Sequence, residues 1–376
     1  MSSRAALMPL EEEENMSGDV TVQAEALTAL IHEIVRLTGS DENECRVVSE
    51  HLVGANLSGH DSHGVQMIPT YLRNFERGLL VANAPVDCVR DDGPFLQFDG
   101  NKGYGQRLAA DVTELAIERA RQTGVCVATL KNSHHIGRVG TYAEMVTAAG
   151  MVSVHFTNVT DHHEMVAPFR GAEARFGTNP VTMGMPTAEP DAPIILDMAT
   201  SVVAMGKVRV AHNSGKTVPE TWLIDSNGQP TSDPGVMFNE PLGALRPFAD
   251  HKGYALCLMA ELMSGALSGG GTIQPEHERL DGVINTMTMV VIDPARLGDP
   301  DWIKGEVTAM ANYTKSAEPA NPDEPVLVPG DPERIARARR GADGIVIPGG
   351  TWTLLTEAAQ TVGLDPSRAA EISGLA

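Results

Sequence analysis

Ser62-His63-Gly64, inside "GHDSHGVQMIPTYL" (59–72), belongs to a run that places two histidines, an aspartate and a serine within four residues. An imidazole there can give or take a proton near neutral pH, and the adjacent hydroxyl can hydrogen-bond the group that exchanges it. Gly64 lets backbone come close to a ligand. A capping serine beside a solvated histidine would read the same way. A second run, "NSHHIGRVGTYAEM" (132–145), follows the strand-like "VCVATL". Polar residues between a strand's carboxyl end and a helix occupy the usual ligand position of α/β sheets. His135-Ile136-Gly137 could offer an imidazole and free N–H groups to an anion; alternatively this is a capped helix start with His134 exposed.

Two further groups have the types needed to hold a cofactor or assist the proton. In "FGTNPVTMGMP" (176–186), Gly177 and Thr178 could present N–H groups and a hydroxyl to a phosphate or carboxamide, and Asn179 is biased to an extended shape by Pro180. Asp197 falls at the end of an apolar strand, where a half-buried carboxylate needs a partner such as an imidazolium or a hydroxyl. Lys252, in "DHKGYAL" (250–256), lies near a helix start, where its charge opposes the macrodipole unless an anion binds. A different chemistry is open as well. His60, His63, His134, His135, Asp161, His162, His163 and Glu164 are metal-ligand types, as a metal-dependent hydrolase would use. None has H-E-x-x-H spacing, and adjacent histidines point apart, so no metal is expected.

The elements that must position these residues follow from periodicity. "TVQAEALTALIHEIVRLTG" predicts a helix ending at Gly39, and Ser40 or Asp41 caps a second that closes at Gly59. From residue 95 the pattern becomes strand, glycine loop, amphipathic helix, strand, a βαβ-like unit. Strands are expected at 152–158, 181–187, 193–199 and 286–294, helices at 200–211 and 252–268, and a hairpin turn at Asn227-Gly228. Residues 316–334 read as an extended surface segment rich in Pro and Asp.

Three hundred and seventy-six residues, 42% apolar and only 4% aromatic, with 37 glycines and 17 methionines, suit a loop-rich α/β globule. A net charge of −21 argues against nucleic acid or an anionic membrane as partner, and requires local cations wherever a small anion binds. The most apolar helical stretch, "YALCLMAELMSGAL", carries Glu261 and is too short to span a bilayer, so it reads as a core helix. Cys45, Cys88, Cys126 and Cys257 form no CxxC pair, and the opening residues do not read as a signal peptide; reduced thiols in the cytoplasm are expected. Residues 1–15, acidic and aperiodic, read as a disordered leader.

A dinucleotide fingerprint is not evident. "GNKGYGQRLA" offers Gly103 and Gly105, but Leu108 stands where G-x-G-x-x-G requires its third glycine. Taken in order, "GHDSHGV", "NSHHIGRVGTYA", "VAPFRGAEARFGTNP", "LDMATS", "GKTVPETWLIDSNGQPTSDP" and "HKGYALCLMAELMSG" resemble the malate/L-lactate dehydrogenase family of the non-Rossmann type, from about residue 21 to 350. That resemblance implies an α/β fold with a mixed sheet, and NAD or NADP as cofactor. It implies hydride transfer at C2 of a 2-oxo or 2-hydroxy acid, and a homodimer. It implies that 16–85 and 275–376 form a helix-rich N-terminal/C-terminal lobe for substrate and dimerisation. Residues 86–274 would form a central α/β cofactor-binding domain. It further implies that His63 is the proton donor, with Ser62 and Asp197 assisting and Asp197 raising its pKa. It implies that His135 lies in the cofactor and substrate cleft with Gly137 and is the alternative acid/base, and that Gly177, Thr178, Asn179, Lys252 and Gly253 contact cofactor. Many members carry an arginine five residues after the serine of S-H-G to grip the substrate carboxylate. Met67 stands there, and a thioether cannot replace a bidentate guanidinium. Either Arg73, Arg138 or another cation takes over, or the substrate is bulkier, as in the hydroxycarboxylate dehydrogenases the Met-bearing subgroup resembles.

Overall fold

The computed structural model describes residues 18–213, 215–277 and 279–375. The leader expected at 1–15 lies outside them. Strand β1 (Val20–Val22) leads into α1 (Ala24–Leu37) and α2 (Glu42–Leu57). The three-to-four spacing on α1 buries Leu27, Leu30, Ile31, Ile34 and Val35 along one stripe. Asp41 caps α2 by accepting the Glu44 N–H at 2.8 Å. Gly59 then reverses the chain at φ 81°. Two 3-10 turns, Asp61–His63 and Val65–Met67, run into α3 (Ile68–Glu76), with Pro69 in its first turn.

The middle of the chain supplies β2 (Asp87–Asp92), β3 (Phe95–Asp99), α4 (Gly105–Thr123), β4 (Val125–Ser133) and α5 (Gly140–Ala148). Strands β5 (Val152–Thr160), β6 (Val181–Met185) and β7 (Ile194–Met198) follow, then α6 (Met205–Asn213). Short strands β8 (Leu223–Ile224), β9 (Pro230–Thr231) and β10 (Ala244–Leu245) form a separate three-stranded sheet. The chain ends with α7 (His251–Glu261), β11 (Ile284–Ile292), α8 (Pro300–Lys315), α9 (Asp331–Asp343), β12 (Ile345–Ile347), α10 (Gly349–Thr361) and α11 (Pro366–Ser373).

Seven strands make one mixed sheet in the order β2-β3-β4-β11-β5-β6-β7, parallel only between β3 and β4. Its central strand, β11, alternates with period two. Met287, Met289 and Val291 join a core with Leu108 and Val112 of α4 and Tyr142 and Val146 of α5. Thr286 and Thr288 point the other way, where Thr288 Oγ1 donates to the Met263 carbonyl at 2.7 Å. The sheet is thus covered by α4 and α5 on one face and by the α7 segment on the other.

Three expectations change. The chain does not leave the sheet at 275, because β11 (284–292) is the middle strand. The helix expected over 200–211 starts only at Met205, since Thr200 and Ser201 spend their hydroxyls on loop carbonyls. The helix expected over 252–268 is present to that length, but α7 gives way after Glu261 to a π-helical turn, Leu262–Ala266, before its last residues. It is also not wholly core: Ala255, Met259, Leu262, Ala266 and Leu267 are exposed. The two ends of the chain share one core, with Leu27, Leu30 and Leu52 against Leu355 and Ala359, and β1 paired antiparallel with β12. Among the described residues no helix is long and apolar enough to cross a membrane.

Candidate active site

His63 and His135, far apart in sequence, stack with ring centroids 5.4 Å apart and planes 29° from parallel. The first comes from the 3-10 turn after α2, the second from the loop after β4. Tyr71 on α3 was not singled out by sequence reading, yet its Oη lies 2.6 Å from His135 Nδ1. Gln106 Nε2 in turn donates to Tyr71 Oη at 2.6 Å. With Gln106 as donor to its oxygen, Tyr71 donates its O–H in a hydrogen bond to His135 Nδ1, so the neutral His135 ring carries its proton on Nε2. The only sequence signal for Tyr71 was its place at the end of the same "VQMIPTYL" run. His134 is buried, not exposed: Asn74 donates to its Nε2 at 3.1 Å, and Tyr71 meets its ring edge-on at 5.2 Å.

Burial depresses the His63 pKa to about 4, the positive tendency of His60 adds to that, Asp197 opposes it and Arg138 reinforces it. The expected net rise from Asp197 therefore does not occur: one carboxylate at a distance is outweighed by loss of water. Burial also holds His135 well below the ordinary range, helped by His63 and His134. His63 Nδ1 is buried with no hydrogen-bond partner. Asp197 is engaged elsewhere, accepting from Thr182 Oγ1 at 2.7 Å and from the Gly140 N–H at 2.8 Å. Its cation is Arg138, whose Nε is 3.7 Å from Oδ2.

Arg138 is 1% exposed and donates from Nη1 to Glu144 at 3.0 Å, so in this chain it is walled in between two carboxylates. Arg73 is no better placed. It lies two residues past Tyr71 on α3, about 200° around the helix from the side that meets His135. It faces Asp281 at 3.7 Å. Of the two arginines named as substitutes for the missing carboxylate grip, only Arg138 is near enough to act on His63, and its Nε and Nη2 are buried without a hydrogen-bond partner. Met67 is half-buried against the helical core. Ser62 is half-buried under the first turn of α6, where a Cβ on Gly206 would lie 3.2 Å from its own.

Several residues expected to touch cofactor also have structural work. A Cβ on Gly137 (φ 74°) would fall 2.3 Å from His51 Nε2, one on Gly177 2.6 Å from Val159 Cγ1, and one on Gly253 2.1 Å from the Phe248 carbonyl. The space of their missing side chains is filled by the chain's own atoms, which leaves only their backbone groups to offer a ligand. Asn179 is buried and donates to Glu261 Oε2 at 2.7 Å and to the Cys257 carbonyl at 3.2 Å. Burial raises the Glu261 pKa, while Asn158, the Ile273 N–H and Asn179 hold the carboxylate. Thr178 is half-buried, with its carbonyl taken by Thr200. Lys252 is exposed and, among the described residues, has no acidic partner.

The histidine-rich loops are dispersed. His60 pairs with Glu333 at 3.1 Å, Asp161 accepts N–H groups of Leu280 and Gly282, Glu164 is held by Arg279, and His162 donates to the His163 carbonyl. Among the described residues no three of these side chains converge as metal ligands.

The family model for malate/L-lactate dehydrogenase matches residues 22–356. Hydroxycarboxylate dehydrogenase B of Escherichia coli O157:H7 is 44% identical over 343 residues, covering 91% of this chain and 94% of that protein. L-lactate dehydrogenase of Cupriavidus necator is 41% identical over 84% of this chain and 90% of its own. The structure of malate dehydrogenase from Pyrococcus horikoshii OT3 superposes with a TM-score of 0.83 at 28% identity, covering 94% of this chain and 99% of that one. These relatives are dehydrogenases of hydroxy acids, which sets the hydrolase alternative aside. Matched in sequence and in fold along nearly its whole length, the chain belongs to the malate/L-lactate dehydrogenase family and is a hydroxy-acid oxidoreductase.

Proposed function

We propose that the chain moves a hydride between NADH or NADPH and C2 of a 2-oxo acid, or back from the 2-hydroxy acid, with His63 exchanging the proton at the oxygen. The observation that carries this reading is the stacked imidazole pair. His63 keeps one nitrogen unpaired out of water, and His135 has its tautomer set by Tyr71. Bound nicotinamide supplies the hydride, which no side chain can carry. Residues available to hold it are Lys252, an exposed and unpaired cation at the start of α7, and Thr178, whose hydroxyl makes no hydrogen bond among the described residues. In an acidic chain such a cation is what an anionic cofactor needs.

The neutral His63 ring accepts a proton from a hydroxy acid, and its protonated form returns one to the developing alkoxide. His135, carrying its proton on Nε2, donates a hydrogen bond to the same oxygen or to the carboxylate. Ser62 assists beside His63, and Asp197 acts at a distance. Met67 offers apolar surface where relatives bearing arginine offer charge. This favours alkyl or aryl 2-oxo acids, in keeping with the hydroxycarboxylate dehydrogenase B relative. A panel of 2-oxo acids, each with NADH and with NADPH, tests this by loss of nicotinamide absorbance. Turnover with at least one bulky member is expected. No turnover with any, and no calorimetric heat for either cofactor, would overturn it.

We also propose a cytoplasmic homodimer. The four cysteines are free thiols, as a reducing compartment keeps them. The outer side of α7 and its π turn, in register with Lys252, is apolar, with Met259, Leu262 and Leu267 exposed by 48%, 42% and 55%. A helix apolar on its solvent side needs a cover. This moves the pairing surface from the terminal helical lobe to the central segment, leaving the lobe to shape the substrate side. The double variant M259E/L262E is expected to convert the dimer to a monomer by light scattering. A monomeric parent, or a dimeric variant, argues against this surface.

A further inference from the structure

The turn carrying His63 is held from the far end of the chain. Arg340 on α9 grips Asp61, immediately before Ser62, with a two-pronged contact: Nη1 to Oδ1 at 2.9 Å and Nη2 to Oδ2 at 2.9 Å. Arg340 is 6% exposed, and its Nη1 also reaches the Asn56 carbonyl at the end of α2. Asn56 completes the ring: its Nδ2 donates to Asp61, and its Oδ1 accepts the Val65 N–H at 2.9 Å. A Cβ on Gly64 would fall 2.2 Å from that oxygen, so the backbone on the far side of His63 is pressed against the same amide. The Asp61–His63 turn is thereby pinned at both ends.

The same face of α9 reaches the other half of the site. Residues 333, 337 and 340 follow helical spacing and share one stripe. Glu333 meets His60 at 3.1 Å. Arg337 donates to Ser58 Oγ at 2.9 Å and to both oxygens of Glu144, at 2.7 and 2.9 Å. Glu144 holds Arg138, and Arg138 faces Asp197. Exposed ion pairs contribute little, and Asp61 keeps 44% of its side chain in water, but a planar guanidinium fork on a carboxylate has a defined geometry.

We propose that Arg340 is a positioning residue for His63, fixing through Asp61 the turn that aims the imidazole into the site. This rests on the reading of His63 as the proton-exchanging group. Loosening the turn lets water reach the ring and removes the desolvation that depresses its pKa.

The test uses the full chain labelled with nitrogen-15 at histidine, H63Q assigning the ring signal, and compares D61N with R340M. Both variants are expected to raise the His63 pKa from about 4 toward its ordinary value, by about one pH unit or more. Both should lower kcat by about tenfold or more, with KM for the 2-oxo acid changing less. A role through charge alone predicts opposite signs: losing the Asp61 carboxylate lowers the pKa, and losing the Arg340 cation raises it. Opposite shifts, or none, overturn the proposal. If R340M fails to fold, D61N decides alone, an upward shift supporting the clamp and a downward or absent one overturning it. Near-normal turnover by H63Q would remove the proton-exchange reading while leaving the titration to judge the clamp.

Discussion

His63→Ala lowers kcat for reduction of a 2-oxo acid by about 10²–10⁴-fold, the range for removing a general acid. Cofactor affinity, measured by calorimetry on the free enzyme, is expected to stay within about threefold, because the residues proposed to hold the cofactor lie on other elements. The size of the effect follows from the surroundings. His63 is half-buried beside His135 with its Nδ1 out of water, and His135 already spends Nδ1 on Tyr71. A ring locked as a hydrogen-bond donor is a poor substitute for one that must gain and lose a proton. A rate within about tenfold of the parent would transfer the proton to His135.

The second large effect is on pH. With its pKa depressed to about 4 by burial, His63 is neutral at pH 7 in the free enzyme. Reduction requires the protonated ring, so kcat/KM in that direction is expected to fall about tenfold for each pH unit above that value, on the order of 100-fold between pH 5 and pH 7. Oxidation requires the neutral ring, so its kcat/KM should hold a plateau over the same range and decline only as pH drops through about 4. Initial rates at subsaturating acid in both directions read this out. Limbs centred near the ordinary histidine value in both directions would show that desolvation does not govern the ring. The sign matters for use: at neutral pH the free enzyme is poised as a base, toward the oxo acid.

Much of the architecture was legible in the order of residues. Apolar spacing and a cap at Ser40 or Asp41 marked α1 and α2, apolar runs marked β5 and β11, and the absent third glycine argued against a Rossmann loop. These signals are local, set by residues a few positions apart, and a single chain displays them without folding. The histidines of both loops, and the family they resemble, were readable for the same reason.

Partnership across the chain was not. Asp197 called for an imidazolium or a hydroxyl, and which one it met, the Thr182 hydroxyl together with the Gly140 N–H and Arg138, was not readable; nor was the grip of Asn179 on buried Glu261. That Val159 and Phe248 press on the Cβ sides of Gly177 and Gly253 was likewise invisible. Asp61 and Arg340 meet only because the two ends of the chain share one core. The residue types and local elements belonged to the sequence by itself. Which charge faces which, and how much water each keeps, was decided only by the tertiary structure, because desolvation and Coulomb energy depend on distances between segments that no local pattern encodes.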